Sequence, residues 1–352
     1  MHNGLSDFVS GLFDKGIINS ITAVMSYVYL IISDSVGALV LWLLTRKKAQ
    51  KPEKHNMKFS WWLVCFMCCF GIGGIGSVIG AIVNGIVTLP STMLTTLFSF
   101  ISPLTGQNVV QNLIYKDNSW AYLFMGIIAV GIVVPFLEEL IFRKLLIDGT
   151  SKYGYAAGIL LSGLTFGLFH GNFVQFFYAT ALGILFAYIY AATGKLRYSA
   201  LLHMGYNLYA SAVIPLARKL IPQNALDEIQ KAYALFYNNV TNQTMDSLRA
   251  LEKFYDTMGR IISKYPTVVL GSFAVIVVYL FYILLILIGI IMIIVFMKKA
   301  LEFRKTMMLG QKGTKPCALF NWASILLWVM LGLIFVLYYG LLFIASLMHL
   351  FK

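Results

Sequence analysis

The sequence predicts an all-α fold, a polytopic membrane helix bundle of about eight transmembrane helices. Three observations predict it. Of 352 residues, 59% are hydrophobic and only 12% charged, against about a quarter charged in soluble domains. The mean hydropathy is +0.80. The apolar residues also fall in runs of about 20 or more, the length a helix needs to cross a bilayer. Surface-to-volume scaling prevents a soluble fold from burying this much apolar surface. Lipid is therefore the solvent over much of the protein.

The elements follow in order. Residues 1–16 lack the basic, apolar, small-residue order of a signal peptide. Leu5, Phe8, Val9, Leu12 and Phe13 form a helical stripe instead. That stripe reads as a short helix in the membrane interface, with a disordered tail as the competing reading. Spanning segments come next at about 17–45, 59–88 and 119–147. Three short ones, 155–171, 174–193 and 199–217, lie close together and read as a compact bundle joined by tight turns. Two more follow at 267–297 and 318–351. The chain divides accordingly into an interfacial helix and two spans (1–118), a helical core (119–217), a polar insert (218–266) and two further spans (267–352).

The formal charge is +13. Its placement points to membrane topology rather than nucleic acid, because the basic residues sit in short loops beside apolar runs. Arg46, Lys47, Lys48, Lys51, Lys54 and Lys58 follow the first span; Lys298, Lys299, Arg304, Lys305, Lys312 and Lys315 follow the seventh. With eight spans both clusters share one side with Arg143, Lys144, Lys152, Lys195 and Arg197. The loop at 89–118 holds only Lys116. The positive-inside rule then puts the basic linkers in the cytosol and both termini outside.

Within the insert, Leu226, Ile229, Leu235 and Phe236, then Leu248, Leu251, Tyr255, Met258 and Ile262, have helical amphipathic spacing. Asn239-Val240-Thr241 and Asn242-Gln243-Thr244 fit a glycosylation triplet that arises easily by chance. Gly71-Ile72-Gly73-Gly74-Ile75-Gly76 satisfies a dinucleotide-binding pattern, but it lies inside a span without a preceding strand. Close helix packing is the better reading, there and at Gly163, Gly167 and Gly171. Of the four cysteines, Cys65, Cys68 and Cys69 share one apolar segment and Cys317 lies in a basic loop, so no disulfide framework is expected. The C-x-x-C within that segment has no further metal ligand near it in sequence.

Ionisable residues inside spans carry the functional signal, since each costs at least about 2.5–3.5 kcal/mol at mid-bilayer. The third span contains Glu138, Glu139 and Arg143. Neighbouring helical residues diverge by about 100°, so the two glutamates are expected to face different directions. Glu139 and Arg143, at i,i+4 in the favourable order, are expected to pair. Glu138 is left to meet another helix. Two of the five histidines, His170 and His203, also lie in the spans of the helical core. His170 ends the fourth, after Phe166. His203 begins the sixth and shares a helix face with Asn207. A carboxylate in an apolar cavity suits a general base, and imidazole and carboxamide donors suit an oxyanion. At ~1.5 Å per residue, Glu138 lies ~14 Å and His203 ~6 Å from the cytosolic ends of their helices, a reachable difference. His170 lies ~22 Å along its helix, which calls for a tilted or recessed fourth span.

The motifs E-E-x-x-x-R, F-x-x-x-H and H-x-x-x-N, on successive hydrophobic segments over 119–217, resemble the CPBP family. That family contains the CAAX prenyl endopeptidases and bacterial Abi proteins linked to bacteriocin processing and self-immunity. The resemblance implies a metal-independent glutamic endopeptidase with no cofactor. It makes Glu138 the base that activates water, with His170 assisting. It makes His203 and Asn207 the oxyanion hole. Glu139, Arg143 and Phe166 fall to orientation and support. Lys144 departs from the small residue common in the family, and the insert and last two spans look like additions that leave the substrate class open.

On the residues alone three other readings stay open. One is a zinc peptidase using His170, His203 and a glutamate, although no H-E-x-x-H is present. The second is a catalytically silent scaffold, sensor regulator or bacteriocin-immunity protein of the same fold. The third is a proton-coupled transporter. The expected partners are the lipid bilayer and a peptide or membrane-anchored protein substrate, not nucleic acid. A membrane protein partner would come through 218–266 or the C-terminal helices. The expected location is the bacterial plasma membrane, with the site open to the cytosol.

Overall fold

The computed structural model describes residues 15–45, 51–88, 120–171, 173–241 and 246–308, and every regular element among them is helical. α1 is Lys15–Thr45 and α2 Phe59–Thr88. α3 runs unbroken over 120–150, with π-helical turns at Ile127–Val133 and Leu140–Leu145. α4 is Tyr155–Phe169 and α5 Phe173–Thr193. α6 covers 196–218 with a π turn at Tyr209–Val213. α7 (Gln223–Thr241), α8 (Ser247–Lys264) and α9 (Thr267–Met308) complete the set. The interfacial helix at 1–16 (but for its last two residues), the loop at 89–118 and the span at 318–351 fall outside the described residues.

Four of the described helices are long and apolar enough to cross a membrane, over Phe59–Val83, Leu123–Thr150, Gln175–Thr193 and Thr267–Val295. Two more apolar stretches, Tyr27–Val40 and Tyr155–Phe169, are shorter. α6 does not reach the same standard, because Ser199, His203, Asn207 and Ser211 dilute its apolar residues. A polytopic all-α membrane bundle is the architecture. Leu270, Phe273, Ile276 and Leu280 along α9 are all more than half exposed, as a lipid-facing helix requires.

The chain forms two compact units. The larger unit takes 28–112, 132–207 and 285–352. Its core is built where α5 packs on α2 and α4, around Cys69, Leu182, Phe186, Ile189 and Leu202. Glycines bring these backbones together. A side chain on Gly71 would collide with the Gly289–Ile290 backbone of α9, and one on Gly76 with the Tyr178 backbone of α5. Gly163 and Gly167 admit α5 to α4 at Ile184, Thr180 and Phe176 in the same way. Small residues are how apolar helices approach closely in lipid. The glycine run at 71–76 therefore serves packing. The tight turns of 155–193 use Gly154 (φ 97°), Gly171 (φ 68°) and Gly194 (φ 61°), a left-handed region that a side chain strains. The strand-like stretch before α2 is tied down by His55 N–H to Thr193 O (2.9 Å), by Met57 N–H to Tyr198 Oη (3.2 Å) and by Trp62 Nε1–H to Tyr198 O (3.2 Å). Cys65, Cys68 and Cys69 are free thiols.

The smaller unit takes 1–27, 113–131 and 208–284. Here α7 and α8 form a helical hairpin around Ile221, Ala225, Ala232, Ile261 and Val268. The hairpin has helices where the spacing of the insert predicts them. Its contact face agrees in part. Leu226 and Ile229 of α7 and Met258 of α8 pack as their spacing predicts, joined by Phe254 and Ile261, while Leu248, Leu251, Tyr255 and Ile262 stay exposed. Ala225 and Ala232 of α7 lie in that contact.

The glycine contacts give a test. Gly71→Val must push apart two backbones and is expected to cost about 1–3 kcal/mol, read as a lower unfolding temperature in detergent. Gly259, in the exposed middle of α8, has open space around it. Gly259→Ala is expected to stabilise by about 0.5–1 kcal/mol.

Candidate active site

The site lies in the larger unit, where α3 meets α4 and α6. Glu138 and Glu139 end an α-helical stretch that opens on Pro135, and the π turn Leu140–Leu145 follows at once. The turn has a local cause that can be traced. Leu146 N–H reaches back to Ile141 O, five residues earlier, instead of to Phe142 O. The Phe142 carbonyl accepts from the buried Ser162 hydroxyl on α4 at 2.7 Å. A widened turn thus gains a partner from a second helix, a device common at functional sites.

Glu138, Glu139, Arg143 and His203 are all buried, Glu139 and Arg143 completely. Arg143 Nε lies 3.2 Å from Glu139 Oε1. That ion pair is the i,i+4 pair of the sequence. Its geometry is not a directed hydrogen bond, and none of the three guanidinium nitrogens makes one among the described residues. Three ring faces surround the ion: Arg143 Cζ is 4.3 Å from the Phe166 centroid, 5.4 Å from Phe186 and 5.9 Å from Phe142. Desolvated cation–π contacts of this kind are worth about 2 kcal/mol or more.

The two glutamates do not point to separate places. His203 Nδ1 hydrogen-bonds Glu139 Oε1 at 3.1 Å, and His203 Nε2 lies 3.6 Å from Glu138 Oε2. This corrects the expectation from helical geometry. The imidazole presents nitrogens on two edges, so carboxylates leaving α3 in different directions can each take one. Glu139 consequently serves both Arg143 and His203.

His203 stacks on Phe186 (centroids 5.1 Å apart, 26° between planes) and meets the edge of Phe166 at 5.4 Å. His170 caps α4, with Nδ1 2.8 Å from Phe166 O and its ring 4.9 Å from the Phe166 ring. Both histidines therefore contact one aromatic side chain, and Phe166 is the hub of the site. Asn207 lies one turn after His203 near the end of the α-helical part of α6 and is half-buried. Among the described residues no group of three His, Cys, Asp or Glu is placed to hold a metal ion.

Several contributors were not singled out from the sequence. Asp34 is a buried acid in the apolar α1, at 4% exposure. A lone acid in such a helix was a readable signal. Phe186 and Ser162 carried none, since an aromatic and a serine are ordinary in a span. Lys144, the departure from the family pattern, lies 3.8 Å from Asp148, which also accepts from Tyr190 Oη at 2.7 Å. It serves a buried carboxylate one turn along the same helix.

A cluster of two glutamates, an arginine and two histidines thus lies inside an apolar helix bundle, on helices joined by tight turns, as in a polytopic membrane protein with ionisable groups within its bundle. Residues 119–209 match the family described as type II CAAX prenyl endopeptidase, Rce1-like, and over that segment the chain is similar to the CAAX proteases. A Bacillus subtilis protein named "Putative membrane peptidase YdiL" is 33% identical over 84 residues, which are 24% of this chain and 34% of that protein. The chain thus spans about a third of that relative's length. No solved structure matches it.

The buried ion makes its own prediction. Arg143→Leu leaves Glu139 as an uncompensated buried charge and is expected to destabilise by about 3–5 kcal/mol. Arg143→Lys keeps the charge but loses the planar group that lies over Phe166, so it is expected to recover only part of that loss. Unfolding of both variants in detergent, compared with wild type, measures the difference.

Proposed function

We propose that this protein is an intramembrane endopeptidase that uses Glu138 to activate water. The single observation that carries the reading is the pair Glu138 Oε2 and His203 Nε2, 3.6 Å apart in a buried setting. A water held on the carboxylate and a carbonyl oxygen held on the imidazole would sit within near-attack distance, about 3–3.5 Å.

Charge is compatible with the same assignment. Glu139 accepts from His203 Nδ1, so that nitrogen carries a proton. With Glu139 ionised and Arg143 positive, the four side chains sum to zero in either of two ways: Glu138 ionised with a second proton on His203 Nε2, or that proton on Glu138 and the imidazole neutral. Buried charges persist only when compensated, and both states meet that condition. The proposed reaction proceeds from the first, which supplies an ionised base and a cationic donor for an oxyanion.

The reaction then runs as a balanced hydrolysis. Glu138 takes a proton from water as its oxygen bonds to the peptide carbonyl carbon. The carbonyl electron pair moves onto oxygen, where His203 Nε2–H and the Asn207 amide donate to it. As the C–N bond breaks, Glu138, assisted by His170, passes its proton to the departing amine. Glu139 and Arg143 hold His203 in position. Substrates are peptides or membrane-anchored proteins. The basic linkers support a site toward the cytosolic side of a bacterial plasma membrane. The contrasting reading is a catalytically silent scaffold, sensor regulator or immunity protein.

Glu138→Gln is expected to lose about 10²–10⁴-fold in cleavage rate, and Asn207→Ala about 10²–10³-fold, with unfolding temperatures near wild type. Membrane peptides compared between cells carrying wild type and Glu138→Ala identify the substrate. Cleavage at full rate by Glu138→Ala would overturn the assignment. A cellular phenotype indifferent to both Glu138→Gln and His203→Ala would favour the silent scaffold.

A further inference from the structure

The hairpin of α7 and α8 has a face that the peptidase reading does not use. The two helices are antiparallel. Glu228, early in α7, meets Lys264, at the end of α8, at 2.7 Å, and Phe236 meets Phe254 with centroids 5.4 Å apart. The Lys264 ammonium, hydrogen-bonded to it, holds the Glu228 carboxyl below the ordinary carboxylate range.

At about 100° per residue, the exposed stripe Leu248, Leu251, Tyr255 and Ile262 centres about 100° from the packed stripe of α8. Leu248 is 76% exposed and Tyr255 64%. On α7, Tyr233 and Tyr237, both more than half exposed, lie about 90° from the packed stripe in the same rotational sense. Antiparallel helices that face each other and carry stripes offset in the same sense present both stripes on one side of the pair. Most of the charges lie on the other side: Arg249, Lys253, Asp256 and Arg260 fall more than about 100° from the centre of the apolar stripe, while Glu252 flanks it. The hairpin is therefore amphipathic as a unit, with leucine, isoleucine and tyrosine beneath and most of the charge above, where exposed Leu235 is the apolar exception.

Three features of the same unit say what covers the apolar side. First, the hairpin is fixed to membrane helices at both ends. Only Tyr265 and Pro266 separate α8 from the spanning α9. Gly271 in α9 lies directly against the Leu220–Ile221 backbone leading into α7. Second, the bilayer interface is marked beside that root. Exposed Trp120 begins α3 and receives the Lys219 ammonium over its ring at 4.9 Å. A tryptophan with a snorkelling lysine belongs at headgroup level. Third, the exposed apolar side is continuous in sequence with the lipid-facing residues Val269, Leu270 and Phe273.

We propose that the α7–α8 hairpin lies flat in the bilayer interface, with Leu251, Tyr255 and Tyr233 immersed among the acyl chains and headgroups. The occupant of the apolar face is lipid. Residues 223–264 carry five Lys or Arg and five Asp or Glu, so immersion is driven by apolar area and is indifferent to anionic lipid.

The test uses the full chain with its native cysteines replaced, reconstituted in phosphatidylcholine vesicles with and without phosphatidylglycerol. Spin labels go at 233, 251, 255, 253 and 256, all exposed positions. Labels at 233, 251 and 255 are expected to relax several-fold more with oxygen, which partitions into lipid, than with a water-soluble nickel chelate. Labels at 253 and 256 are expected to do the reverse, in both lipid mixtures. Equal nickel access at 251, 255 and 253 would overturn the proposal. Immersion only with phosphatidylglycerol would overturn the apolar drive. Shielding in native membranes but not in vesicles would assign the face to another protein.

Discussion

The fully buried Arg143 is the constraint on which the larger unit of the molecule turns. A guanidinium inside a membrane bundle has no water to fall back on, so its compensation must be built by the protein. Glu139 supplies the counter-charge from the same helix at 3.2 Å. Phe166, Phe186 and Phe142 supply three ring faces from α4, α5 and α3 itself. Each of those rings then fixes something else. Phe166 contacts both histidines, and Phe186 stacks on His203. Meeting the needs of one ion therefore positions both imidazoles.

That arrangement demands a helix that is not regular. The π turn after Glu139 changes the phase of α3, and Ser162 serves the Phe142 carbonyl. It also demands close approach between α4 and α5, because Phe166 and Phe186 must reach the same guanidinium. Gly163, Gly167 and Gly183 provide it by removing side chains from the crossing. Site chemistry and helix packing are thus joined: bulk at those glycines would move the rings as well as the helices.

What the sequence made legible was placement by cost. Glu138, Glu139, Arg143, His170 and His203 stand out because ionisable groups in apolar helices need a reason to be there. The all-α membrane class was equally plain from composition. The convergence of both glutamates on one imidazole was not legible. A helical wheel gives directions from an axis and says nothing of a partner ring with a nitrogen on each of two edges, nor of a π turn set by a serine on another helix. Asp34 was legible by the same cost argument and was passed over because it stands alone in its helix. At α6 a run of mild apolarity is interrupted by the polar residues of the site itself, so length and composition mark it as a span less clearly than α9.

The same separation of signals explains the insert. Its helical spacing was readable, but the face it packs was not, because α8 carries two apolar stripes. The stripe through Leu248, Leu251 and Tyr255 attracts attention in the sequence, while the one through Phe254, Met258 and Ile261 makes the hairpin core. A soluble hairpin would be penalised for leaving Leu248 and Tyr255 exposed. A hairpin rooted on α9 at Gly271 and level with Trp120 has lipid beside it, and there the exposed stripe is the one that binds. The two stripes then divide the work of one helix, with Phe254, Met258 and Ile261 for the neighbouring helix and leucine and tyrosine for the membrane surface.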